Sequence, residues 1–170
     1  MANTQVYRGS DATITLAPGD PDSVEGKEAN TVIEEFGLAP VGRATEVEVY
    51  VHTDLKAYHE IGRRHPAQLR YGNINISGKL GRAYINGALV RLLLGKGALV
   101  NRESEPYAQP AFNLVLVLSD PANPGVSNVV TVHNVMLDTW GMALPEDDFI
   151  MESVTFKALF ISVEETVPAQ

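Results

Sequence analysis

The sequence predicts a mainly β domain with one helix, and three of its features carry that prediction. Apolar and polar residues alternate with period two along several stretches, as on strands with one covered and one wet face. The longest apolar runs are short and end at clusters of Pro, Gly, Asn and Asp, where chains turn. Only one stretch keeps its apolar residues at helical spacing over several turns.

Along the chain, 18–30 is rich in Gly, Pro, Asp and Glu with almost nothing to bury, and reads as an exposed acidic loop. The residues 31–36 permit a short helix. In 45–51, Val47, Val49 and Val51 fall on one side while Glu46, Glu48 and Tyr50 fall on the other, a half-buried strand. The segment 55–72 is basic, is broken by Gly62 and Pro66, and reads as a second long loop. In 83–94 the residues Ile85, Leu89, Leu92 and Leu93 recur at helical spacing, and Gly95 stands where the helix would stop. Gly87 inside that helix costs about 1 kcal/mol relative to Ala, so packing must hold it. The continuous apolar run 112–118 ends at Ser119, Asp120 and Pro121, and a turn through Asn123, Pro124 and Gly125 leads to a second strand at 127–137. Farther on, Val154, Phe156, Ala158 and Phe160 alternate with Ser153, Thr155 and Lys157. From 159 to 163 both faces turn apolar, so this strand is expected to run from a wet surface into a covered one. The end, 164–170, is polar.

The 170 residues suit one domain, 1–170, and are enough to close a single core. The absence of cysteine excludes disulfides, thiolate metal sites and a cysteine nucleophile. The first ten residues lack the apolar run of a secretory signal, and the apolar stretches fall far short of the ~20 residues of a membrane-spanning helix, so no membrane anchor is expected. The formal net charge of -8 opposes a nucleic-acid binder that works through a basic surface. The charge is unevenly spread: 56–82 holds six of the 13 basic residues and one of the 21 acidic ones. That segment is +5 against -13 for the remainder, which suits either a solvated surface or a head-to-tail contact between unlike faces of successive copies.

A search for chemistry yields no catalytic, cofactor or metal set. His52, His59, His65 and His133 are scattered without metal-site spacing. Gly37 and Gly42 imitate a phosphate loop, yet Arg43 and Ala44 replace its lysine and hydroxyl residue. No Gly-x-Ser-x-Gly turn presents a serine. Glu146, Asp147 and Asp148 form an acidic trio after a proline, which reads as a solvated strand entry before it reads as a cation site.

Two stretches then carry a family likeness. Residues 73–95, NINISGKLGRAYINGALVRLLLG, resemble the strand, glycine and amphipathic-helix segment of tail tube proteins of contractile-tailed phages and related injection machines. Residues 147–165, DDFIMESVTFKALFISVEE, resemble that family's closing strand, and the basic segment with Gly62, Arg63, Arg64, Arg70 and Tyr71 fits the same frame.

The resemblance implies an antiparallel β-sandwich or half-barrel with one flanking helix, closing into a hexameric ring whose inner strands form a continuous β-barrel. It implies a structural subunit, not an enzyme, needing no cofactor. Rings would stack into a tube inside a contractile sheath, with tape measure, tail terminator or baseplate proteins as further partners and DNA only as a transient passenger in the lumen. The subunit would assemble in the host cytoplasm and reside in the virion tail, or in a bacteriocin or similar machine. Glu46, Glu48, Ser153 and Thr155 are the expected lumen-facing residues, since acidic and neutral side chains repel phosphate. Lys157 on the same side offsets that acidity. Arg63, Arg64 and Arg70 are expected to meet Asp147 and Asp148 of the next ring. The alternative is a monomeric β-sandwich binding module, for instance for carbohydrate, which would need an exposed aromatic platform such as Trp140.

Overall fold

The computed structural model describes residues 6–98 and 107–166. Of the polar tail 164–170, residues beyond Thr166 lie outside the described residues, as do the first five residues of the opening segment. The elements run β1 (Ala12–Ala17), α1 (Val24–Phe36), β2 (Ala44–Tyr58), β3 (Gln68–Ala83), α2 (Ala88–Leu94), β4 (Phe112–Ser119), β5 (Ser127–Ala143), β6 (Met151–Ala158) and β7 (Phe160–Thr166). The fold is mainly β, as the alternation requires, with two helices where one was expected.

The seven strands pair antiparallel in the order β1-β4-β5-β6-β3-β2, and β7 also pairs with β5. β5 is the axis of the sheet. Its first part lies between β4 and β7, while its second part, Met136 to Ala143, pairs with β6 alone. At the changeover Asn134 takes a left-handed φ of 52°. Opposite it, Leu159 separates β6 from β7 and its N–H donates to the His133 carbonyl at 3.1 Å. The expected single C-terminal strand is therefore two strands on one edge of β5, and the sheet bends into two wings. One wing is β1, β4, early β5 and β7. The other is late β5, β6, β3 and β2.

One core joins both wings and both helices. It contains Leu16, Val32 and Ile33, Leu80, Leu89 and Leu92, Phe112 and Leu114, Val132 and Val135, Val154 and Phe156. Gly78 faces this core, and a Cβ there would run into the Phe156 ring and the Glu48 carbonyl, so the missing side chain lets β2, β3 and β6 close over the aromatic.

Three expectations are corrected. The acidic loop 18–30 is a loop only to Ser23, whose Oγ accepts from the Gly26 N–H at 3.0 Å and starts α1. Ala29, Val32 and Ile33 supply the apolar stripe of α1, and Gly37 ends it at φ 60°, which is the role of the first glycine in the false phosphate loop. The helix expected over 83–94 begins only at Ala88, because β3 stays extended through Ala83, so Gly87 precedes the helix instead of weakening it. The basic loop 55–72 is largely strand, as β2 and β3 continue into a projecting hairpin arm that turns at 59–67.

Candidate assembly surfaces

The face of the β2-β3-β6-β5 wing turned away from the helices is polar, and strand register sets what meets on it. Glu46 pairs with Gly81, which pairs with Ser153, which pairs with Gly141. One step along, Glu48 pairs with Lys79, Lys79 with Thr155, and Thr155 with Thr139. The structure thus brings Glu46, Glu48, Ser153 and Thr155 together on one surface, around a lysine that alternation within single strands did not reveal.

Lys79 Nζ lies 2.9 Å from Glu46 Oε2. Hydrogen bonding to Lys79 holds the Glu46 carboxyl below its usual range, and the same bond raises the Lys79 ammonium. The Tyr50 hydroxyl donates to Glu48 Oε2 at 2.6 Å, which raises the phenol. Thr155 donates to Asp138. Lys79 and Lys157 offset part of the charge of Glu46, Glu48 and Asp138, so this face is mixed and only weakly acidic.

The expected inter-ring residues are not neighbours within one copy. Arg63 and Arg64 lie in the tip turn of the hairpin arm, and Arg70 pairs with Lys56 just below it. Asp147 and Asp148 lie on the β5–β6 connection, beside Met151 and Ala143, at the opposite end of the wing. The 16 residues of β3 between the two ends span about 50 Å. Each end mixes charge with exposed apolar groups: Tyr58, Ile61 and Leu69 beside the arginines, Leu144 and Phe149 beside the carboxylates. Arg63 Nε lies 3.3 Å from Glu60 on its own turn, a pair exposed enough to exchange partners at little cost. Among the described residues no three His, Asp or Glu side chains are grouped to hold a metal ion.

The arm itself is two-sided. Beyond the core, the pairs Val51–Ile76, Thr53–Ile74, Leu55–Tyr71 and Ala57–Leu69 extend the core-facing side, and Val51, Leu55, Leu69, Tyr71 and Ile74 are all exposed. Lys56, Arg70 and Tyr58 belong to the alternate pairs.

One buried constellation was missed. Arg82 and Glu152 sit side by side on β3 and β6 on the core side, with Nε 2.6 Å from Oε1. Trp140 Nε1 donates to the other carboxylate oxygen at 2.9 Å, and an Arg82 terminal nitrogen donates to Asn86 Oδ1 at 3.2 Å. Asn86 Oδ1 also accepts from the Ala88 N–H, which ties the start of α2 to the sheet. The signal was present, since Arg82 is in phase with Leu80 and Glu152 with Val154 and Phe156, so opposite charges occupy core positions. This network also takes up the indole that a carbohydrate platform would have needed. Arg91 on α2 reaches Glu35 on α1 at 2.7 Å and lies over the Phe36 ring.

The chain is thus a bent seven-stranded sheet whose polar wing ends at β2 and late β5, with no strand beside either among the described residues. No protein-family model matches the chain, and no curated protein does. Solved structures do. A chain in the anti-feeding prophage tube-terminating cap matches with a TM-score of 0.63 at 11% identity, covering 98% of this chain and 95% of that one. A chain in the PVC sheath-tube complex, an extracellular contractile injection system in its extended state, matches at 0.62 and 10% identity, covering 96% and 94%. The tail tube of phage SPP1 matches at 0.52 and 10% identity, covering 97% and 81%. The chain therefore has the fold found in these contractile injection and phage tail assemblies.

Proposed function

We propose that the chain is a structural subunit of a tail tube, forming hexameric rings that stack around a lumen. The observation that carries this reading is the strand count of the polar wing. Its borders are β2 and late β5, and among the described residues neither has a partner on its outer side. The wing has four strands alternating in direction, so β2 and β5 run oppositely. A second copy in the same orientation then brings its β2 against β5 antiparallel, and the alternation continues from copy to copy until the sheet closes. Closure removes exposed strand borders that would otherwise recruit other chains.

On this reading the face bearing Glu46, Glu48, Ser153 and Thr155 lines the lumen, and the helices face outward toward a sheath. Ring stacking places the arm tip, with Arg63, Arg64 and Arg70, against Asp147 and Asp148 of the next ring. The placement of these groups at opposite ends of one wing supports that polarity. A weakly acidic lumen lets DNA slide as a passenger during ejection without being bound. Tape measure, terminator, baseplate and sheath proteins are the corresponding partners, and assembly in the host cytoplasm precedes residence in the virion tail.

The test is electron microscopy of the purified protein with size-exclusion chromatography. Rings or tubes are expected on concentration. A species that remains monomeric at all concentrations sinks the reading.

A further inference from the structure

A cavity of about 350 Å³ opens where the sheet bends, and it remains empty of side chains in the folded copy. Asp20, Ser23 and Glu25 line it from the entry to α1, Ala111 from the approach to β4, and Met136 and Leu159 from the bend. Lys157 is the basic residue on its wall. The cavity begins where β4 leaves β5, at the pair Phe112–Val135, and therefore marks the upper end of the border of β5 that has no strand beside it among the described residues.

We propose that this cavity seats the hairpin arm of the adjacent copy within a ring, entered by residues 52–58 of that copy's β2. The inference rests on the ring reading above and deepens it by naming the receptor. Strand register provides the alignment: Tyr50, Ser77, Lys157 and Met136 form one row across the wing. When an adjacent β2 extends the sheet along β5, its Tyr50 arrives beside Met136, shifted by the stagger of a barrel. The residues after Tyr50 have no β5 to pair with, because β5 turns away at Asn134. They run on over the cavity.

The chemistry of the two parts is complementary. The arm carries exposed Leu55 and Tyr71 on one side, with Lys56 and Arg70 on the other. The cavity presents exposed Leu159 and Met136 together with the carboxylates of Asp20 and Glu25. Apolar surface on each part is thereby covered, and Lys56 of the arm meets the carboxylates of Asp20 and Glu25. This gives the segment ahead of α1 a task that the fold of a single copy does not require of it.

The lack of cysteine makes the test clean. In the full-length double variant Ser23→Cys with Lys56→Cys, position 23 of one copy lines the cavity beside Met136 of β5, whereas its position 56 lies on β2, the opposite border of the four-stranded wing. Three strand spacings, about 14 Å, separate those borders, which exceeds disulfide reach. Oxidation of assembled protein should give a ladder of covalent oligomers ending at ring size. Separately, Glu25→Lys should raise the concentration for half-assembly by about tenfold or more, with an unchanged circular dichroism spectrum, and Lys56→Glu added to it should restore assembly. Wild-type rings with no ladder in the cysteine variant, together with normal assembly of Glu25→Lys, overturn this inference while leaving the ring reading intact. A wild type that forms no rings removes both.

Discussion

Arg82 and Glu152 face each other across β3 and β6 with side-chain exposures of 1% and 0%, and Arg82 reaches the start of α2 through Asn86, so the charged pair behind that tie is sealed from water. A buried pair of this kind contributes little net stability as a whole, but either member alone is an uncompensated charge.

Glu152→Gln should therefore destabilise the fold by about 3–5 kcal/mol, measured by chemical denaturation. The double change Arg82→Met with Glu152→Leu should recover most of that loss. A single variant as stable as the wild type would contradict the geometry.

Gly78→Ala places a methyl group against the Phe156 ring and the Glu48 carbonyl, and should cost about 1–3 kcal/mol through forced displacement. Gly81→Ala is the control, since a Cβ there meets nothing nearer than 3.6 Å. Thermal unfolding of the two variants should separate them by several degrees; equal melting temperatures would show that β3 is not held this close to Phe156.

Tyr50 should titrate above the ordinary phenol value of 10.0, because its neutral hydroxyl donates to Glu48 and its phenolate would oppose that carboxylate. With the folded value raised, the stabilising effect is complete below the unfolded value and is lost as pH rises through the folded one. Difference absorbance between wild type and Tyr50→Phe isolates this residue, and Glu48→Gln should move its titration downward. Glu46 behaves oppositely: its carboxyl lies low because of Lys79, so that contribution persists above the usual 4.5 and disappears as pH falls through the lowered value.

Reversal of the arm tip, Arg63→Glu with Arg64→Glu, should shorten or abolish tubes in electron micrographs while rings persist. Wild-type tubes should shorten similarly as salt rises from 0.05 to 0.5 M, since exposed charges are screened over about 10 Å at 0.1 M. Tube lengths indifferent to both treatments would exclude contact between this tip and the acidic connection.

The parts of the fold legible in the sequence are those where a local pattern met no competing signal. β4 and the start of β5 are uninterrupted by charge, and the alternation of β6 put Ser153 and Thr155 on one side and Val154 and Phe156 on the other. The hairpin arm was hidden because Gly62, Pro66 and the arginines are ordinary loop residues, although Leu55 and Ala57 alternate with Lys56. The carboxylates of 18–30 obscured the start of α1 in the same way, even though Ser23, Ala29, Val32, Ile33 and Gly37 supply both caps and the stripe. The break at Leu159 could not be read locally, since the residues on either side of it are apolar. Among the candidate surfaces, alternation could place Glu46 with Glu48 and Ser153 with Thr155. Only the register of β2 on β3 and β3 on β6 could bring the two pairs around Lys79, and that register depends on contacts distant in the chain.

Because β5 runs unbroken through both wings, the inner wall and the outer layer of the proposed tube are made of a shared piece of backbone. A squeeze or pull applied outside cannot slip past the lining by loosening a side-chain contact; it must flex the strand at Asn134. In the proposed tube, mechanical coupling between the outside and the bore is thus carried by the covalent chain.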